Sequence, residues 1–191
     1  MENLINKWVE CGIKNSIITE DNKELIIYGI YQLFSYASFV VLQIIIFCIF
    51  NCLLNGIVFL TAFIFLRKFI GGYHADTRIR CFVISNSLSL VYCVANEINI
   101  AELYVIAALI AAVCILGVLA PVENDNKRLS EREYVKYKYK TLAVLFTEIL
   151  IGVVFKFLKF ANIERAVFYA IIIGAGFVLG GYIKLKFKNV K

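Results

Sequence analysis

The chain has 191 residues, 61% of them hydrophobic, with one proline, a mean hydropathy of +0.80 and a formal net charge of +6. Soluble domains run nearer half apolar, so this composition excludes an ordinary soluble enzyme and points to a bilayer. The basic excess suits the flanks that orient membrane helices, and the anionic headgroups beside them, better than it suits nucleic acid.

In chain order, residues 1–24 come first. Ile5, Val9, Ile13 and Ile17 recur at every fourth position, with Leu4 and Trp8 beside them. That stripe predicts an amphipathic helix lying in the membrane interface, Trp8 at headgroup depth. It serves either as a simple anchor or as a lid that docks a peptide. No charged segment leads directly into an apolar core here, so no secretory leader is expected.

Residues 25–66 contain no Asp, Glu, Lys or Arg, and 42 residues make two spans of about 20 each. Residues 81–96 form a third, shorter run and 103–122 a fourth. Residues 141–155 are apolar apart from Glu148 and give a fifth, and 166–183 give a sixth. Runs such as Ile44-Ile45-Ile46-Phe47 do not alternate as barrel strands do, and a spanning helix satisfies its own backbone groups. The expectation is an all-α, polytopic integral membrane protein of about six transmembrane helices. It forms one domain over 1–191, with 1–24 as its amphipathic segment and 25–191 as the membrane-embedded bundle.

Pro121 stops the fourth span, and Ser130-Glu131-Arg132-Glu133 has the form of a capping box that starts the helix into the fifth. Gly176 and Gly180 form a small-xxx-small pair, suited to close helix packing within the chain or to a homodimer. With six spans and the N-terminus inside, 17 of the 20 Lys and Arg residues fall on the cytoplasmic side. Both termini and the loop of residues 67–80 are then cytoplasmic in a multi-pass cell-membrane protein. The basic residues of segment 156–165 run against this count.

Six cysteines do not make a disulfide framework here. Cys48, Cys52, Cys93 and Cys114 lie in apolar runs, where a thiol acts as a small hydrophobe. Cys11 sits in the amphipathic segment, and only Cys81 has a basic, partly polar neighbourhood. One histidine cannot build an ordinary zinc site, so no metal and no cofactor are expected.

That histidine, His74, stands seven residues before Cys81, in a loop with Arg67, Gly71, Gly72, Asp76, Arg78 and Arg80. Imidazole can take a thiol proton near neutral pH, and the thiolate can attack a carbonyl carbon. Each residue alone also fits a structural role at a membrane boundary. On one continuous helix the two would stand about 10.5 Å apart along the axis, so cooperation demands a bend between them. Gly71 and Gly72 supply freedom before His74. A cysteine in a helix's first turn, beside arginines, is favoured as thiolate.

Cys81, Ser85 and Ser89 share one helical face, with Asn86 beside it, and that face should turn inward. Asp76 and Glu148 are candidate polar partners, and N–H groups near Gly72 or Cys81 are candidate oxyanion donors. Two other classes of function stay open. One is a small transporter using His74 and Glu148, although no internal repeat is visible; the other is a non-catalytic scaffold.

The pattern Arg67-Lys68-x-x-Gly71-Gly72-Tyr73-His74-Ala75, with Cys81 after five further positions, resembles the signature of the AgrB family, the accessory gene regulator peptidases of Gram-positive quorum sensing. Ala120-Pro121-Val122, followed by Asn126-Lys127, is similar to a second feature of that family; Arg128 departs from it where many relatives carry proline. The resemblance runs over essentially the whole chain. It implies a membrane-embedded cysteine endopeptidase with Cys81 as nucleophile and His74 as general base. It further implies an AgrD-type propeptide substrate with an acidic tail, and cyclisation of the acyl-enzyme to a thiolactone or lactone. A homodimer is within the same expectation, and Arg67, Gly71, Gly72, Ser85 and Glu148 are the candidate supporting residues.

Overall fold

The computed structural model describes residues 2–15, 19–73, 77–98, 100–123 and 129–188. Among them the chain is helical, and the only β-type pairing is an isolated parallel bridge between Gly71 and Val122. Contacts divide the chain into two units, residues 1–45 and 46–191.

The first unit holds α1 (Glu2–Lys14), a short 3-10 turn (Glu20–Asn22) and most of α2 (Lys23–Ile49). The expected stripe is present in α1: Ile5 and Val9 are buried, Ile13 is half-buried and Trp8 is exposed. Ile17 lies outside the described residues.

The second unit is built from α3 (Leu53–Ile70), α4 (Arg78–Ile98), α5 (Glu102–Leu119), α6 (Glu131–Phe157) and α7 (Ala161–Lys188). α7 is its axis, packing on α3, α5, α6 and α4. The physical reason is a stripe of small side chains. Ala166, Ala170, Gly174, Ala175 and Gly181 are buried and let neighbouring helices close in. A methyl added at Gly174 would stand 3.0 Å from Leu66, and Gly152 of α6 offers its bare face to the Phe168 ring. Gly176 meets nothing within 4 Å, and Gly180 meets only Tyr73 of its own chain, at 3.8 Å. The close approaches of α7 thus come from Gly174 and Gly181, not from the expected pair.

Among the described residues, five helical segments are long and apolar enough to cross a membrane: Glu20–Ile49, Leu53–Ile70, Ile79–Ile98, Glu102–Leu119 and Ala161–Phe187. α6 carries the remaining apolar stretch but opens with charged turns. Ser130 caps it as expected: its Oγ accepts from the Glu133 N–H at 3.4 Å, and Glu133 Oε2 accepts from the Ser130 N–H at 3.0 Å. Large apolar side chains such as Phe65, Val118 and Phe146 stay exposed, as lipid-facing positions do.

An aromatic file runs along α3. Tyr92 stacks on Phe59 at 4.2 Å and meets Tyr169 edge-on, and Phe63 meets Phe177 edge-on at 5.7 Å. The file leads towards the loop between α3 and α4.

Candidate functional site

α3 ends at Ile70, and the next three residues are held by contacts from α3 itself and from two other segments, the end of α5 and α7. Gly71 (φ 66°) and Gly72 (φ 99°) adopt left-handed backbone that L side chains rarely reach. Val122, just past α5, donates its N–H to the Ile70 carbonyl at 2.9 Å and accepts from the Gly72 N–H at 3.2 Å. The Tyr73 N–H donates to the Phe177 carbonyl of α7 at 3.0 Å. Space permits this only because Gly181 has no side chain: a methyl there would stand 2.5 Å from Gly72 C and Tyr73 N.

Arg67, in the last turn of α3, completes the clamp. Its guanidinium donates to the carbonyls of Gly71 and Tyr73 and lies over the Phe177 ring, 4.7 Å from the centroid. The rigid, planar fork reaches both carbonyls while lying over the Phe177 ring, a geometry that a lysine does not reproduce. Lys184 Nζ sits 5.2 Å from the centroid of the Tyr73 ring. Of the residues singled out in the sequence, Arg67, Gly71 and Gly72 thus form one constellation.

His74, Ala75 and Asp76 lie outside the described residues. Beyond them, Thr77 starts α4: its Oγ1 accepts from the Arg80 N–H at 3.3 Å and its carbonyl from the Cys81 N–H at 3.0 Å. Helix α4 begins at Arg78, directly after the non-helical Thr77. Cys81 closes the first turn with its thiol exposed. The inward turn of its helical face develops with depth: Ser85 is half-buried, while Asn86 and Ser89 are buried.

The Gly72, Tyr73 and Cys81 N–H groups each donate to a carbonyl, so none of the three is open to an oxyanion in this arrangement. Glu148 stands apart from the Phe69 end of the loop. Tyr137 of α6 meets Phe69 at the loop end, with ring centroids 6.3 Å apart. Glu148 is eleven residues further on, about 16 Å along the helix axis. Its carboxyl is buried, with no hydrogen-bond partner among the described residues.

Beside Gly71 a cavity of about 40 Å³ opens between Lys68, Phe69, Pro121, Val122, Leu129 and Tyr137, with Glu123 also on its wall. Lys68 and Lys140 flank the Phe69 ring at 5.8 and 5.5 Å from its centroid. Nothing in the sequence singled out Val122, Phe177 and Gly181 as partners of this loop, because each reaches it from a distant segment. The proline before Val122 was the nearest signal.

In comparison with known proteins, the family model described as AgrB, accessory gene regulator B, matches residues 5–179. No curated protein matches the chain, and no solved structure does.

Proposed function

The chain belongs to the AgrB family of agr quorum-sensing membrane proteins, and from that premise we propose that it is a cysteine endopeptidase acting on an AgrD-type propeptide. Cys81 is the nucleophile and His74 the base that takes its proton. The thiolate adds to the scissile carbonyl, the C-terminal tail leaves with the proton held on the imidazole, and a thioester links the remaining peptide to Cys81. A thiol or hydroxyl within the peptide then attacks that thioester, releasing Cys81 and closing a thiolactone or lactone. Water is the competing acceptor, and an apolar setting limits it.

The observation that carries this reading is the clamp on Gly71–Gly72–Tyr73. It fixes the backbone immediately before His74, while Cys81 stands exposed in the first turn of α4, on the far side of a helix start. Arg67 adds fixed positive charge, and Lys68 and Lys140 beside the Phe69 ring are cations that an acidic peptide tail could meet. The charge bias favours a cytoplasmic position for this end.

Co-expression with a propeptide tests the proposal. Cys81→Ala and His74→Ala each abolish cleavage while the protein still inserts; undiminished processing by Cys81→Ala overturns it. A membrane-impermeant thiol reagent added from the cytoplasmic side is expected to label the Cys81 peptide, and labelling from outside alone reverses the orientation. One observation favours a second reading, a small transporter or exporter: the buried Glu148 carboxyl, which has no hydrogen-bond partner among the described residues. On that reading Glu148→Gln stops peptide movement across vesicles and leaves cleavage intact.

A further inference from the structure

Lys138 lies two turns into α6, between exposed Lys136 and Lys140, and does something neither neighbour does. Its ammonium donates to three carbonyls at the end of α5: Ala120 at 2.7 Å, Val118 at 3.4 Å, and Gly117. The last carbonyls of a helix have no donor within the helix, and Pro121 removes one more N–H from the segment that follows. A cation there satisfies the carbonyls and opposes the negative end of the helix dipole.

The consequence reaches the loop before His74 in two steps. Ala120 is two residues from Val122, and Val122 holds Gly71 between its bonds to Ile70 and Gly72. A fixed Ala120 carbonyl therefore fixes where Val122 meets the loop. Lys140 instead sits over the Phe69 ring, which leaves Lys138 as the cation of this run that grips the α5 end.

We infer that Lys138 is a positioning residue for the Gly71–Gly72–Tyr73 segment that leads into His74. Its bearing on catalysis rests on the peptidase reading above; its bearing on the backbone does not.

The test uses the full chain in vesicles and a synthetic AgrD-type propeptide, and compares Lys138→Met, Lys138→Arg and Lys136→Met with wild type. Amide hydrogen exchange is followed at Gly72, Tyr73 and Val122. In Lys138→Met exchange at these amides is expected to quicken at least about 10-fold, while the amides of the middle of α7 keep their protection. Cleavage is expected to fall about 10–100-fold, in kcat and not in KM, because misplacement of a catalytic loop acts on the chemical step. Lys138→Arg restores both readouts, since a guanidinium also reaches carbonyls, and Lys136→Met behaves as wild type. Unchanged exchange at Gly72, Tyr73 and Val122 in Lys138→Met overturns the inference, as does a loss that Lys138→Arg fails to mend. If Cys81→Ala cleaves as well as wild type, the peptidase reading falls, and the exchange arm still decides the role of Lys138.

Discussion

The two ends of the five-helix unit use their cations in opposite ways. At the end carrying Cys81, Arg67 and Lys138 give their N–H groups to backbone carbonyls, those of Gly71 and Tyr73 and those of the α5 terminus. At the other end, Lys156 pairs with the side chains of Glu102 and Glu164. A cation bound to main-chain carbonyls fixes the course of the chain; one bound to carboxylates cancels charge and leaves the backbone to its helices. Lys156 is one of the basic residues that ran against the expected orientation, and it is neutralised where it stands. The lesson is that rigid backbone geometry is concentrated on one side, around the three residues before His74.

The largest expected break comes from Arg67→Met. Two carbonyls lose their charged donor, and such hydrogen bonds contribute about 1.5–3 kcal/mol each. Propeptide cleavage should fall by about 100-fold or more, the cost of a misplaced catalytic loop. Membrane insertion should persist, because the apolar helices are untouched. Arg67→Lys should recover only part of the rate, as a lysine lacks the rigid planar fork that lies over the Phe177 ring. Full activity in Arg67→Met would show that the clamp is ornamental to catalysis.

Next come Gly71→Ala and Gly72→Ala. Both positions have positive φ; a methyl at Gly71 runs into the Val122 carbonyl oxygen, and one at Gly72 stands 2.8 Å from the Phe177 carbonyl oxygen. Strain of about 1–3 kcal/mol is expected at each, read as a lower melting temperature in detergent. Cleavage should drop alongside it. A variant that melts as wild type would mean the backbone relaxes without cost.

A finer cut separates Gly181→Ala from Gly176→Ala. The first drives a methyl into Gly72 and Tyr73 from the α7 side and should slow cleavage about 10-fold, through displacement of the loop. The second meets nothing within 4 Å and should leave the rate unchanged. Equal effects would dissolve the claim that α7 supports the loop.

This pair of glycines also marks where the sequence stops being legible. Helices, the capping box at Ser130 and the group Arg67, Gly71 and Gly72 were all readable, since each is a local pattern of spacing or backbone freedom. The partners were not. Val122, Phe177 and Lys138 come from segments about 50 to 110 positions away from the loop, and no periodicity links them to it. On α7 a four-residue rule selects Gly176 and Gly180, but the inward face carries Ala170, Gly174, Val178 and Gly181. Small residues announce that a helix can be approached; only packing decides which face the neighbours choose. The N–H groups of Gly72 and Cys81 are a related case, because each looks available until its acceptor is known.

The smallest effect is expected at the opposite end. Lys156→Met removes a cation whose partner Glu102 is exposed, and exposed ion pairs contribute little once solvent and side-chain entropy are counted. Glu164 loses a neighbour at 3.6 Å but lies near a helix start, where a carboxylate is favoured by the positive end of the helix dipole. No backbone carbonyl of the loop depends on Lys156. Cleavage by this variant should stay within about twofold of wild type, since an exposed pair carries so little. The quantity that matters is the ratio of the two losses, Arg67→Met against Lys156→Met, measured with the same propeptide in the same vesicles. A large ratio means that cations acting on backbone carbonyls govern the chemistry. A ratio near one would mean that general helix stability does, and the contrast between the two ends would then be one of charge alone.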